Sequence, residues 1–376
     1  MSAARGAAEL TGAAPGVEVE FFDPPLAPEQ WGRYERAARS YTCSRAFLEY
    51  FDRPAAATLA IVRDHAGGER SAFLYRRAGA SAHVYGRYTA PSGADLAAFC
   101  DALFGRHREL RRVQVDLVDA LPDPRALGRP ALVVRHVTER RVSLPGSVEE
   151  YERTLGKDTR AQLRYLERRL ARDHPGARFA TAEGDDVPRA WIAEVVRLHH
   201  ARMASKSTRS TIDAAYEEGI YRVARAHGAV TALLDGDRVC GGVVYVLAGP
   251  EVFGWVIGHD DAYARYRPGK LCQVAAFRHC IARGARTYHF LMGDAGYKRE
   301  LGGAPAEVAS YAVLRSWASL RPGDVARVVA RRLARDARRV VAQADRLAAR
   351  LFPHRPAPLT TLARALAGRA RAAART

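Results

Sequence analysis

Three runs of β-branched and aromatic residues, Val230–Leu234, Val239–Leu247 and Val252–Ile257, follow one another with only two short breaks. The first break is Asp235-Gly236-Asp237 and the second is Ala248-Gly249-Pro250. Turns of that chemistry between strand-forming runs dictate an antiparallel meander. The stretch from Val239 to Gly258 is apolar enough to suggest a membrane span, with Glu251 its only charge. Its six Gly and Pro residues and its central turn instead fit two buried strands joined by a hairpin.

A three-stranded meander buries itself only against helices or further strands, and the flanking sequence supplies both. Lys157–Arg172, Asp186–Ala204 and Asp213–Ala226 read as helices before it, with Asp185 or Asp186 and then Asp213 as caps. Ala177–Ala182 reads as a strand between the first two. After the meander come a helix at Lys270–Arg283, a strand at Thr287–Leu291, a short helix at Ala295–Leu301 and a strand at Ala309–Leu314. An earlier series has a similar rhythm. It runs from a strand at Val17–Phe22 and a helix at Ala27–Ser40 to strands at Thr58–Arg63, Ala72–Arg76 and Ala82–Tyr88. A helix at Ala94–Arg108 and strands at Val113–Val118 and Ala131–Val134 complete it. The expectation is an α/β (α+β) protein built from a duplicated unit, although no residue-level repeat is visible. The partition reads as a mobile stretch 1–16, a first unit 17–144, a second unit 145–320 and a basic amphipathic helical tail 321–376.

Charge and cysteine content narrow the classes. The chain has 376 residues and a net charge of +18, but residues 321–376 hold 14 arginines against three aspartates, leaving only +7 for the rest. A nucleic-acid role inferred from overall basicity would therefore rest on the tail. The five cysteines are scattered without a C-x-x-C pair, which argues for reduced thiols in a cytoplasm and against structural zinc. No apolar leader segment is visible at the N-terminus. Adjacent His199 and His200 diverge by about 100° on a helix and make no metal site by themselves. No metal is expected.

Of 59 basic residues only four are lysines, and Lys157, Lys206, Lys270 and Lys298 all lie between residues 157 and 298. A chain that otherwise uses arginine keeps lysine where a compact, deprotonatable ammonium has a use. Lys270 closes the run Tyr266-Arg267-Pro268-Gly269-Lys270, which follows Asp260-Asp261-Ala262-Tyr263 and opens a helix. Pro268 suits a first helical position, and Gly269 lets an anion approach the free N–H groups there. Lys298 closes Phe290-Leu291-Met292-Gly293-Asp294-Ala295-Gly296-Tyr297-Lys298, where a strand ends in a glycine-bearing turn. Strand ends of α/β sheets are where ligands commonly bind. Cys272 and the positions Trp191, Trp255 and Trp317 read as packing.

With the basic helix Lys157-Asp158-Thr159-Arg160-Ala161-Gln162-Leu163-Arg164 and the pair Leu198-His199, these runs in this order resemble the GNAT superfamily. The branch they resemble is that of the CelD/BioF2-like acetyltransferases, related to the FemAB aminoacyltransferases. The resemblance covers about residues 145–315. It implies two GNAT-like units with central mixed, largely antiparallel sheets flanked by helices, the first without its own active site. It also implies an N-acyltransferase that moves an acyl group, acetyl in the commonest case, from acyl-CoA to an amine of a small-molecule or peptidic acceptor. Backbone N–H groups of a splayed strand, Phe253–Gly258, would polarise the donor carbonyl. Lys298 would stabilise the oxyanion or hold donor phosphates, and Tyr297 would protonate the leaving group. His259, Asp260 or Asp261 would take the amine proton. Tyr266, Arg267, Gly269 and Lys270 fall to the donor, and Lys157, Arg160, Arg164, His199 and Asp294 to the acceptor. One departure matters: the usual pyrophosphate loop has a second glycine or alanine after the first, and this chain has only Gly269. A longer acyl-CoA, or an aminoacyl-tRNA held partly by the basic tail, is the alternative donor.

Overall fold

The two hairpin turns of the meander place Gly236 at φ 60° and Gly249 at φ 63°, conformations that favour glycine. A computed structural model describes residues 9–12, 17–54, 56–121, 123–205, 207, 210–293, 295–320 and 323. Residues up to Arg315 form one compact unit and those from Ser316 a second, of which the turn Trp317–Ser319 is described. The tail expected as an amphipathic helix lies outside the described residues.

In chain order the first unit contains β1 (Glu9–Gly12), β2 (Val17–Phe22), α1 (Pro28–Ala38), α2 (Arg45–Phe47), β3 (Thr58–Asp64) and β4 (Glu69–Ala78). Then come β5 (Ser81–Val84), α3 (Gly93–Arg106), β6 (Arg112–Asp119), β7 (Ala131–Ser143), α4 (Val148–Thr154) and α5 (Lys157–Asp173). β8 (Ala177–Glu183), α6 (Arg189–Ser205), α7 (Ala214–His227), β9 (Gly228–Asp235), β10 (Arg238–Ala248) and β11 (Glu251–His259) follow. The series ends with α8 (Pro268–Ala282), β12 (Thr287–Met292), α9 (Gly296–Glu300) and β13 (Ala304–Leu314). No helix among the described residues is long and apolar enough to cross a membrane.

All strands join one 13-stranded sheet in the order β1-β2-β3-β4-β5-β6-β13-β7-β12-β11-β10-β9-β8. The order carries the duplication. In one half β2 to β5 run antiparallel and β5 then meets β6 in parallel; in the other β8 to β11 run antiparallel and β11 meets β12 in parallel. Each half then receives the other's last strand, since β13 pairs with β6 and β7 pairs with β12. A central β13–β7 ladder closes the exchange.

The parallel pair β11–β12 holds register only at Glu251↔Thr287, Val252↔Tyr288 and Phe253↔His289. Below the separation, α5 and α8 cover one face with Leu163, Leu166, Leu271 and Phe277. On the other face α6 and α7 bury Ile192, Val195 and Ile220. Helix α6 lies unusually close to the sheet because Gly242 and Gly258 stand beneath it. A Cβ on Gly258 would fall 2.3 Å from the Val195 carbonyl oxygen, and one on Gly242 would fall 2.5 Å from Val195 Cγ2.

Several elements depart from the sequence expectation. Glu9–Gly12, inside the stretch expected to be mobile, pairs with β2. β5 ends at Val84, because Gly86 and Tyr88 both adopt positive φ. Asp185 and Asp186 sit in a short 3-10 turn (Gly184–Asp186), and α6 starts only after Pro188, whose carbonyl accepts from Trp191 N. β7 continues nine residues past Val134.

Candidate active site

Beyond Phe253 the sheet parts, and the edges of β11 and β12 line a cavity of about 650 Å³. Gly254–Ile257 form one wall and Phe290–Gly293 the other. Tyr41, Tyr88 and Tyr216 close it, and Arg87, Arg135 and Arg202 reach it from three separate elements. A second cavity of about 300 Å³ opens at the start of α8 between Ile257, His259, Arg267, Gly269, Lys270 and Glu300. Arg202, Ile257 and Tyr297 line both cavities, so the two adjoin.

The helix start is built for close approach. Arg267 takes a left-handed turn, φ 49°, and its carbonyl accepts from the N–H groups of Lys270 and Leu271. Pro268 has no N–H, which leaves that of Gly269 to point out of the helix end. A Cβ on Gly269 would lie 3.3 Å from His259 Nδ1 and 3.4 Å from Ile257 Cδ1, so glycine keeps the smaller cavity open. Lys270 is not the loose point charge that its motif suggests. It is buried, donating to Gln162 Oε1 at 2.8 Å and pairing with Glu300 Oε2 at 2.6 Å, and so braces α5, α8 and α9. Tyr266 is likewise buried, its hydroxyl donating to Asp173 at 3.0 Å rather than facing either cavity. Arg267 is exposed at the mouth of the smaller cavity.

At the other wall β12 ends in residues of positive φ, Leu291 at 55° and Gly293 at 99°. Lys298 Nζ donates to the carbonyls of Phe290 at 2.9 Å and Met292 at 3.1 Å, with that of Leu291 at 3.4 Å. The ammonium therefore holds a turn of carbonyls together while lining the larger cavity. Tyr297 packs edge-on against Phe290. Burial pushes its pKa above the ordinary value, with Arg202 opposing, so the phenol keeps its proton.

The other expected residues divide clearly. His259 lines the smaller cavity at the end of β11. Asp260 caps the following turn by accepting from Ala262 N and pairs with Arg238, and Asp261 is exposed. Neither carboxylate lines a cavity. Arg160 donates to the carbonyls of Glu152, Arg153 and Leu155 at the end of α4, a helix-capping role. Lys157 and Arg164 are exposed on α5, and Asp294 lies outside the described residues. His199 Nδ1 sits 3.1 Å from the Ile257 carbonyl oxygen. A carbonyl only accepts, so Nδ1 carries the proton and Nε2 the lone pair. Burial lowers the His199 pKa, against the Ile257 hydrogen bond, which keeps the ring neutral.

Tyr41, Tyr88, Arg87 and Arg135 come from the first series and belong to no motif, so sequence reasoning had no signal for them. Trp255, read as packing, does pack against Tyr41 and Phe51 but also lines the larger cavity. Among the described residues no group of three or more His, Cys, Asp or Glu is arranged to hold a metal ion.

Residues 157–299 match the acetyltransferase (GNAT) domain family. The fold is similar to the crystal structure of FemX, at TM-score 0.57 and 10% identity over 77% of this chain and 96% of that one. It is also similar to a conserved protein of unknown function from Bacteroides thetaiotaomicron, at TM-score 0.50 and 10% identity over 78% of this chain and 99% of that one. No curated protein sequence matches the chain significantly. The matched segment runs from the first residue of α5 to Arg299 in α9, and so contains the parted strands, the start of α8 and Lys298. By that match residues 157–299 are a GNAT acetyltransferase-type domain, and the fold around them is similar to that of FemX.

Proposed function

We propose that the chain transfers an acyl group, acetyl in the simplest case, from acyl-CoA to an amine of a small-molecule or peptidic acceptor. The observation that carries this is the pair of adjoining cavities at the parting of β11 and β12, the smaller opening on Gly269 at the start of α8. A helix N-terminus with a glycine suits a donor phosphate, and the larger cavity has room for an acceptor. The edge of β11 facing β12 has lost its ladder beyond Phe253, so N–H groups there are available to a carbonyl oxygen. The amine nitrogen attacks the thioester carbon, and a tetrahedral oxyanion forms against those donors. The C–S bond then breaks, and the leaving thiolate takes the Tyr297 proton. His259 takes the amine proton, directly or through water; Asp260 is committed to Arg238, and Asp261 lines neither cavity.

In this reading the second unit carries the chemistry, while the first walls the acceptor cleft through Tyr41, Arg87 and Tyr88. Five buried free cysteines support a reducing, cytoplasmic setting. An aminoacyl-tRNA donor is the second reading. It is favoured by the single glycine of the helix start and by the pairing of Lys270 with Glu300, which leaves less charge for a pyrophosphate. Mass spectrometry of copurified ligand, with calorimetry against CoA and deacylated tRNA, decides between the two. Binding of neither by the full chain sinks the donor assignment.

A further inference from the structure

We infer that the larger cavity selects an acceptor that carries a negatively charged group, a carboxylate or a phosphate, on the same molecule as its reactive amine. The inference rests on the acyl-transfer reading of the site and adds the class of acceptor to it. Among the described residues lining this cavity there are four cations, Arg87, Arg135, Arg202 and Lys298, and neither an aspartate nor a glutamate. With 59 basic residues, only four of them lysine, arginines in a cavity wall are unremarkable in themselves. The informative point is that these three arginines make no ion pair among the described residues. Arg141, in the wall of another cavity, meets both Asp119 and Glu139. Arg87 and Arg202 have no ion-pair partner among the described residues, and Arg135 makes only a 3.2 Å contact with the Met292 sulfur. Lys298 is spent on the carbonyls of β12.

The three guanidiniums come from the turn after β5, from β7 and from α6, so their convergence is a product of the fold and not of one basic helix. Guanidinium forks match carboxylate and phosphate oxygens in pairs. In the same cavity Tyr41, Tyr216 and Trp255 form an aromatic wall of mutually tilted rings, with Tyr41 and Trp255 ring centres 5.5 Å apart and Tyr216 and Trp255 6.1 Å apart. An acceptor body fits against that wall while its anion meets the arginines. The same charges assist the chemistry. Cations lining the cavity disfavour an ammonium there, and so raise the fraction of acceptor amine in its neutral, nucleophilic form.

The test uses the full chain and matched probes without donor. Amino acids are compared with their amides, and hexosamine 6-phosphates with the parent hexosamines, by calorimetry. The charged member of one pair is expected to bind about ten- to a hundredfold more tightly. Arg87→Gln and Arg202→Gln should abolish that preference, and Arg87→Lys should keep part of it. The pair that responds tells carboxylate from phosphate. Equal binding of charged and neutral members, binding of no charged member at millimolar concentration, or a preference indifferent to both variants overturns the inference. CoA titrated in parallel reads the smaller cavity and shows which variants are folded. If CoA fails to bind while the arginine-dependent preference persists, the donor reading falls and the acceptor class stands. If CoA binds and the preference is absent, the acceptor class alone falls.

Discussion

The Lys298 ammonium lies 2.9 Å from the Phe290 carbonyl oxygen, eight residues back along the chain, and 3.1 Å from that of Met292. It therefore serves the end of β12 first, and any service to an oxyanion comes from the same fixed position. Two roles on one group predict two coupled losses. Lys298→Ala leaves the carbonyls of a partly buried turn without their donor, which costs about 1–3 kcal/mol. Turnover should fall about a hundredfold, the scale of one lost oxyanion donor. Denaturant unfolding and steady-state kinetics on the same variant separate the roles. A stability loss with unchanged kinetics makes the lysine purely architectural.

The donor site depends on what Gly269 lacks. Its missing Cβ would stand 3.3 Å from His259 Nδ1 and 3.4 Å from Ile257 Cδ1, closer than a side chain sits comfortably. Gly269→Val should fill the smaller cavity and weaken CoA binding by tenfold or more, on the order of a lost charged contact. Binding of acceptor probes in the larger cavity should change much less. Calorimetry with each ligand checks this, and equal losses for both would place the donor elsewhere.

The second half of the sheet was legible because its signals are local. β-branched runs between glycine turns specify β9, β10 and β11 without help from distant residues, and Asp213 caps α7 by accepting from Tyr216 N at 2.8 Å. What stayed hidden was non-local. β7 reads as a strand only to Val134, because Arg135, Glu139, Arg140 and Arg141 break its apolar pattern. Those charges are tolerated since Glu139 and Arg141 meet each other, Asp119 and His289 across neighbouring strands. The exchange of β7 and β13 leaves no trace in sequence, as it depends on which edges meet. Likewise nothing near Lys270 shows that Glu300, 30 residues on, neutralises it. Arg87 and Arg202 were lost among the many other arginines, and only convergence on one cavity marks them out.

Two glycines of opposite character test the packing. At Gly258 a Cβ would lie 2.3 Å from the Val195 carbonyl oxygen and 2.8 Å from His199 N, both backbone atoms of α6 that cannot swing aside. Gly258→Ala should push α6 off the sheet and cost about 1–3 kcal/mol. Activity should fall further than stability explains, because α6 carries Arg202 to the junction of the cavities. At Gly105, near the end of α3, nothing lies within 4 Å of the added Cβ. Gly105→Ala should therefore stabilise by up to about 1 kcal/mol. Melting temperatures of the two variants moving in the same direction would show that α6 is not seated as described.

The base of the parted strands is locked by charge. His289, buried and stacked on Phe253, has Nδ1 3.2 Å from Glu139 Oε1 and Nε2 2.8 Å from Glu251 Oε2. Arg141 meets the same Glu139 at 2.5 Å, and Asp119 in turn holds Arg141. Burial draws the His289 pKa down, but the hydrogen bonds to Glu139 and Glu251 outweigh it, and the pKa ends above the ordinary histidine value. A folded-state pKa above the unfolded one stabilises fully below the unfolded pKa, about 6.5. That contribution is lost as pH rises through the folded pKa. His289→Gln, which removes the charge and leaves Glu139 buried, should cost about 3 kcal/mol near pH 6. The cost should shrink at a second, higher pH above the folded-state pKa, where the wild-type ring has also given up its proton. Unfolding curves for both proteins at the two pH values provide the check. A penalty that is constant with pH would mean that the ring is neutral throughout and that the lock is hydrogen bonding alone.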